Sequence, residues 1–328
     1  MIRRKFIAVV GSVAAAWPLN VRAQHTPMPL IGFLDFRSPE SIEDRLREFR
    51  RGLKETGYIE GDNVIIVYRA AENDYARLSV LATELVRRPV AVIVASGGLP
   101  VALAAKAATA TIPIVFLVAE DPVKLGLVVS LAKPAGNMTG INSLTTEVTE
   151  KRLELLRELL PGAARVAVLV NPANAANSDM TLQSVEAAGR LMKLQVQLFK
   201  ATSSREIDAV FASFERERPD VLFVGQDALF TSRRLQLANL SARHAIPLTA
   251  GSRDIAEVGG LMSYGSNILD AYRRVGVYAG RILTGANPAE MPVEQSTKLE
   301  LVINLQTARM LGIDVPAKLL AIADEVLE

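Results

Sequence analysis

From Pro29 onward, short apolar runs alternate with polar turns and with stretches whose apolar residues recur every three or four positions. LIGFLDF (30–36) is a run of the first kind. Residues 39–55 are of the second, with Ile42, Leu46, Phe49 and Leu53 on one helical face. Ser38 before Pro39 predicts an N-cap with proline in the first turn, and Gly57 a stop. The alternation continues through VIIVYRAAE (64–72), a helix capped by Asp74 and running to Val86, VAVIVASGG (90–98), an Ala-rich helix opened by Pro100, IPIVFLVAED (112–121) and MTGINS (138–143). These strands are nearly continuous in apolar residues, which is how parallel strands covered by helices on both faces read.

A helix over 145–160 leads to a second series: ARVAVLVNP (164–172), LQVQLF (194–199), DVLFVGQD (220–227), IPLTA (246–250) and GLMSYG (260–265), with helices near 176–192, 204–217 and 231–244. Two consecutive αβ series of similar length predict an α/β protein of two doubly wound, three-layer (αβα) lobes. The ending does not simply extend the second series. A helix near 267–283 precedes the loop TGANPAEMPVEQ, the strand LELVINL (299–305) and short helices. If that helix returns to the first lobe and LELVINL to the second, the lobes are joined by several crossings, which makes a hinge with a cleft.

The N-terminus differs from all of this. Residues 1–23 have a basic start (Arg3, Arg4, Lys5), an apolar stretch from Phe6 to Trp17 and then Val21-Arg22-Ala23, the layout of a cleavable export signal with Gln24 as the new N-terminus. Arg3-Arg4-Lys5-Phe6-Ile7 is similar to a twin-arginine motif, with Ile2 and Ala8 departing from it, so either the Tat or the Sec route remains open. The apolar stretch falls short of the ~20 residues of a transmembrane helix, and no later run reaches that length. Losing the four basic residues of the signal leaves 33 Lys and Arg against 35 Asp and Glu, so the net charge moves from +2 to −2. The charge therefore favours neither nucleic acid nor an anionic membrane as partner. With half of its residues apolar, the chain can bury a sizeable core. It has no cysteine, hence neither disulfides nor a lipid-modified N-terminal Cys.

In open parallel sheets ligands bind beyond the carboxyl ends of the strands. The residues there are Asp35, Phe36 and Ser38; Ser96, Gly97 and Gly98; Glu120 and Asp121; Asn171 and Asn174; Gln226 and Asp227; Ser263 and Tyr264. Hydroxyls, amides, carboxylates and small residues suit hydrogen bonding better than bond breaking. Ser96-Gly97-Gly98 before a helix would let backbone N–H groups and the Ser96 hydroxyl approach a ligand carboxylate, or it is only a turn. Asp121-Pro122 reads as a helix N-cap pair, and Glu120 either takes a ligand ammonium or faces solvent. The enzyme signatures fail: His25 and His244 are the only histidines and lie far apart, and there is no G-x-S-x-G elbow. No metal or cofactor is expected. Arg87-Arg88, Arg233-Arg234 and Arg273-Arg274 read as solvated helix faces.

Several blocks are long and distinctive: RRKFI, IGFLDF, FRRGLKETGYIEGDNV, IPIVFLVAEDPVKLGLVVSLAKPAGNMTGIN, KRLELLRELLPGAARVAVLVNP, GGLMSYGSNILDAYRRVGVYAGRIL and LELVINLQTARMLG. Over nearly its whole length the chain resembles the ABC transporter substrate-binding proteins related to tryptophan and tyrosine uptake, which have the type I periplasmic-binding-protein fold. The resemblance implies lobe 1 at 28–142 plus 264–290 and lobe 2 at 143–263 plus 291–328, joined by three crossings. It implies a monomeric periplasmic receptor that binds a small molecule, an amino acid or an aromatic or carboxylate-bearing solute, in the interlobe cleft and hands it to an ABC permease. Ligand-binding candidates are Phe36, Ser38, Ser96, Gly97, Glu120, Asp121, Asn171, Gln226, Asp227 and Tyr264. Ser96 is expected on the carboxylate, Asp121 or Asp227 on the ammonium, and Phe36 or Tyr264 as the aromatic wall. A cleft transferase or lyase and a ligand-sensing receptor for a membrane partner are the competing readings.

Overall fold

The computed structural model describes residues 27–143 and 148–328, so the expected signal at 1–23 lies outside the described residues. The first series forms β1 (Leu30–Asp35), α1 (Glu43–Glu55), β2 (Ile65–Ala70), α2 (Leu78–Val86), β3 (Val90–Ala95), α3 (Leu99–Ala108), β4 (Ile114–Val118) and β5 (Met138–Asn142). The second forms α4 (Thr149–Leu159), β6 (Arg165–Val170), α5 (Ala175–Met192), β7 (Gln195–Lys200), α6 (Ser204–Ser213), β8 (Val221–Val224), α7 (Ala228–Ser232), α8 (Arg234–His244), β9 (Leu248–Ala250), α9 (Arg253–Glu257) and β10 (Met262–Ser266). The ending contributes α10 (Ile268–Leu283), β11 (Glu294–Gln295), β12 (Leu299–Asn304), α11 (Leu305–Met310), α12 (Ala317–Ile322) and β13 (Glu325–Leu327).

Two sheets result, ordered β11-β5-β4-β3-β1-β2 and β13-β12-β10-β9-β8-β6-β7. Every pairing is parallel except β10 with β12. Period-two alternation sends each strand's side chains to two helical layers. In the first sheet Ile31 and Phe33 pack with α1 and α10, while Leu34 and Ile93 pack with α2 and α3. In the second, Val166 and Val168 meet α4 and α5, and Ala167 and Leu169 meet α6 to α8. The apolar cluster on the α2–α3 face of the first sheet is continuous with that on the α6–α8 face of the second.

Helix α10 follows β10 of the second sheet yet packs on α1, and its neighbour β11 pairs with β5 of the first sheet. The chain therefore crosses between the sheets after β5, at Asn267, and between β11 and β12. Two of the crossings are tied together: Asn267 N donates to Lys298 O at 2.9 Å, and Asn267 Nδ2 to Glu300 Oε2 at 2.9 Å. Strand β10 stays in register to Ser266, and β11 reaches Gln295, so sheet membership changes a few residues later than positions 263/264 and 290/291.

Two local expectations are corrected. The segment after Asp121 is a turn and not a helix, because Gly126, at φ +66°, ends it after one turn. The C-terminus closes on a strand, β13, which extends the second sheet beside β12. Among the described residues, no helix is long and apolar enough to cross a membrane.

Candidate functional site

The carboxyl ends of both sheets face a small cavity of about 60 Å³. On the first-lobe side it is lined by Arg37, Arg45, Gly97, Gly98, the tip of β4 to Glu120, and Tyr272 of α10. The opposite wall includes Asn174 and Asn177 of α5 and Gln226, Asp227 and Thr231 around the start of α7.

At the tip of β1, Asp35 organises one wall. Its Oδ1 accepts from Arg37 N (2.8 Å) and Nε (2.9 Å), and its Oδ2 from Arg37 Nη2 (2.9 Å) and Ser96 Oγ (2.6 Å). Arg37 Nη2 also donates to the Tyr272 hydroxyl at 2.5 Å. Burial alone would pull the Arg37 guanidinium down, but Asp35 and Tyr272 outweigh it and hold it raised. Gly97 sits at φ +97°, and a Cβ there would meet Asp35 Oδ1 at 2.9 Å, so only glycine leaves room for the carboxylate. The Ser96 hydroxyl, expected on a ligand, is thus engaged by Asp35.

The seam between the lobes is made by side chains from both. The Tyr75 hydroxyl lies 3.3 Å from both carboxylate oxygens of Asp227 and accepts from Asn171 Nδ2 at 3.3 Å. Its ring stacks on Phe36 at 4.1 Å between centroids. Asp227 also accepts from Asn171 Nδ2 (2.8 Å), Asn174 Nδ2 (3.3 Å) and Leu229 N (2.9 Å), the last as N-cap of α7. Glu120 Oε1 accepts from Asn177 Nδ2 at 3.0 Å across the seam, and Oε2 from Ala119 N at 3.1 Å. A third bridge joins Arg45 on α1 to Asp254 on α9.

Glu120 is 2% exposed and Asp227 7%, and neither has a cation partner among the described residues. Burial pushes both carboxyls above the usual range, against the pull of Asn177 on Glu120 and of Asn171, Leu229 N, Asn174 and Tyr75 on Asp227. The Tyr75 phenol is raised as well, by burial and by Asp227. The arginines lining the cavity, by contrast, have carboxylates of their own: Asp35 for Arg37 and Asp254 for Arg45. Burial pushes the Asp254 carboxyl up, but Arg45, the Ser252 hydroxyl, Arg234 and Arg37 together hold it below the carboxylate range. The site is built for hydrogen bonding and charge pairing, and among the described residues no cluster of three or more His, Asp or Glu could hold a metal ion.

Of the expected residues, Gly97, Glu120, Gln226 and Asp227 line the cavity. Asn171 stands behind Asp227, and Phe36 behind Tyr75. Ser38 precedes the 3-10 turn Pro39–Ile42 without a side-chain cap bond. Tyr264 packs against the apolar cluster of α4 and α5, where its carbonyl accepts from Arg152 Nε at 2.8 Å. Asp121 does not line the cavity: its Oδ1 accepts from Val123 N (2.9 Å) and Lys124 N (3.2 Å) and closes the turn. Asp121→Ala is expected to cost about 1 kcal/mol in stability, the usual worth of such a cap, and to change ligand affinity less than Glu120→Gln does. Denaturant melts and titration of both variants check this.

Arg37, Arg45, Tyr75, Asn177 and Tyr272 were not singled out by sequence. Two of them carried a signal: Arg37 lies two residues past a strand tip, and Asn177 one turn after Asn174 at a helix start. Arg45 and Tyr272 sit in amphipathic helices, and Tyr75 in a 3-10 turn, with nothing local to mark them.

The family model for ABC transporter substrate binding protein matches residues 31–327. A tyrosine-binding protein of Clostridioides difficile is 28% identical over 281 residues, 86% of this chain and 80% of that protein. A structure from Streptococcus pneumoniae, an ABC domain in complex with L-Trp, is similar with a TM-score of 0.82 at 26% identity, covering 92% of this chain and 100% of that one. A ligand-free, open substrate-binding protein with adhesive properties from Clostridium difficile gives 0.65 at 27% identity, covering 91% and 99%. The type I periplasmic-binding-protein-like architecture expected from the sequence is the one found.

Proposed function

The chain belongs to the ABC transporter substrate-binding protein family, and we propose that it is an exported, monomeric receptor that closes two lobes on an amino acid and delivers it to an ABC permease. The lobes of this reading are 28–142 plus 267–295 and 143–266 plus 296–328, following sheet membership. Its place is the periplasm, after removal of residues 1–23.

The observation that carries the reading is the charge balance at the seam. Among the described residues, Glu120 from one lobe and Asp227 from the other are buried without a cation, while each cavity arginine already has a carboxylate. Buried carboxylates are costly unless paired, so a ligand ammonium is the natural counter-charge. Such a ligand touches both lobes at once and stabilises the closed state by its differential affinity for it. Leu117, Val118 and Ile268 provide the apolar side of the cavity.

Two comparisons support an amino-acid ligand and a closed arrangement. The relatives bind tyrosine or L-Trp by name. At nearly equal identity, the TM-score is higher against the L-Trp complex than against the open, ligand-free structure. The cavity is large enough for only a few water molecules, taking about 15 Å³ for each, so entry requires the lobes to part along the crossings at Asn267 and after Gln295.

Isothermal titration of the exported protein against the common L-amino acids and their decarboxylated amines tests the reading. Saturable binding of an amino acid is expected, and a correctly folded protein that binds none sinks it. The pH dependence is a second readout. With both carboxyls raised by burial, the ligand-free closed form holds extra protons between the ordinary carboxylate range and the raised values. Its stability contribution from these groups is full below that window and is lost as pH rises through it. Ammonium binding needs the ionised forms, so affinity is expected to rise with pH across the same window, with protons released on binding; titration in buffers of different ionisation enthalpy reads that release.

A further inference from the structure

We propose that Arg45 reads the ligand's carboxylate, and that its contact with Asp254 ties this recognition to lobe closure. The inference rests on the amine-binding reading of the seam and adds the opposite pole of the ligand.

Arg45 stands on α1, lines the cavity, and has a side chain only 2% exposed. Its Nη2 engages Asp254 Oδ2 of the second lobe, an oxygen that Ser252 Oγ also supports at 2.8 Å. Its Nε is buried with no hydrogen-bond partner among the described residues. A guanidinium has five donors in one rigid plane, and a buried donor of a charged group left unmade is costly. An anionic oxygen brought by the ligand to the cavity face of the guanidinium would offset that cost.

The alternatives on the first lobe are more heavily committed. Arg37 keeps Nε and Nη2 on Asp35 and Tyr272. The Ser96 hydroxyl, the carboxylate partner expected from sequence, donates to Asp35. Arg45 is therefore the less engaged of the two arginines on the cavity that Glu120 and Asp227 also line. An amino acid admitted as the lobes part and held as they close again has its ammonium on the two acids and its carboxylate on Arg45. The guanidinium then stands between the ligand carboxylate and Asp254, so the cation that holds the ligand is the one that holds the second lobe. Arginine suits this double duty because its planar fork can serve two carboxylates on different edges.

The test compares affinities within pairs that differ only in the carboxylate: L-tyrosine with tyramine, L-tryptophan with tryptamine, and L-leucine with isoamylamine. A charge-assisted hydrogen bond lost from a buried site predicts that Arg45→Gln lowers the amino-acid-to-amine affinity ratio by about tenfold or more, with part of the ratio restored in Arg45→Lys. Arg45→Gln leaves Asp254 buried and unpaired, so the double variant Arg45→Gln/Asp254→Asn, which removes both charges, is measured alongside and is expected to show the same fall. A ratio that changes by less than tenfold in both, with the affinities for acid and amine falling together, overturns the inference and leaves Arg45 a structural latch while the amine-binding reading stands. If the wild-type protein binds no member of any pair, that reading fails and takes the inference with it.

Discussion

Asp227→Ala is expected to lower the unfolding free energy of the second lobe by about 3–5 kcal/mol and to abolish measurable ligand binding. The magnitude comes from what the side chain holds. Asn171, Asn174 and Tyr75 each place a polar group on it, and Leu229 N relies on it as the cap of α7. A buried donor left unmade costs about 1–3 kcal/mol, and a lost N-cap adds about 1 kcal/mol. Relief of one buried carboxylate offsets part of this sum. Asp227→Asn keeps an oxygen for the cap and is expected to cost less in stability, while removing the charge that an ammonium would meet. Urea unfolding and titration of both variants separate the roles. A stable Asp227→Asn with wild-type affinity would show that the carboxylate serves the fold alone.

The second large effect is expected in the helix pair that carries the returning segment. A Cβ on Gly276 would lie 2.1 Å from Phe49 O and 2.9 Å from Leu53 N, and one on Gly52 would lie 1.8 Å from Arg273 O. The clashing atoms are backbone, so α1 and α10 must separate. Overpacking of this kind costs about 1–3 kcal/mol and more where nothing can yield, and Gly276→Ala is expected at or above the top of that range. Gly162→Ala, with no atom within 4 Å of the added carbon, is the control and is expected to stay within about 0.5 kcal/mol of wild type. Because α1 carries Arg45 and α10 carries Tyr272, parting the helices also shifts two walls of the cavity, so Gly276→Ala is expected to weaken ligand binding together with stability. Equal melting of the two variants would count against backbone contact as the reason for the glycines.

Much of the fold was legible in the sequence because its signals are local. Continuous apolar runs bounded by turn residues became buried strands, and three- and four-residue spacing became the helices over them. The short strands β11 and β13 were missed, since two or three residues carry no period and depend on an edge already built by β5 and β12. The helix predicted after Asp121 failed on Gly126, whose left-handed conformation outweighed the cap and proline at the start.

The site was legible only as a rim. Strand-tip reasoning reached Gly97, Glu120, Gln226 and Asp227, but it favoured Asp121 over Glu120 for the ammonium. Neighbouring residues at a strand end differ in which way they face, and that is decided by how the strand sits in its sheet. Here Glu120 enters the seam and Asp121 closes the turn. Arg45 lay beyond reach, because in an amphipathic helix it reads as one more surface charge until Asp254, 209 residues later, comes to meet it.

By itself, the sequence determined two layered α/β lobes and the kind of chemistry at the strand tips, because hydrophobic period, caps and turns act over a few residues. The tertiary structure alone decided which groups share the seam and which are left without a counter-charge. Burial and pairing at that seam depend on residues from distant segments being withdrawn from water together, and no local pattern specifies that.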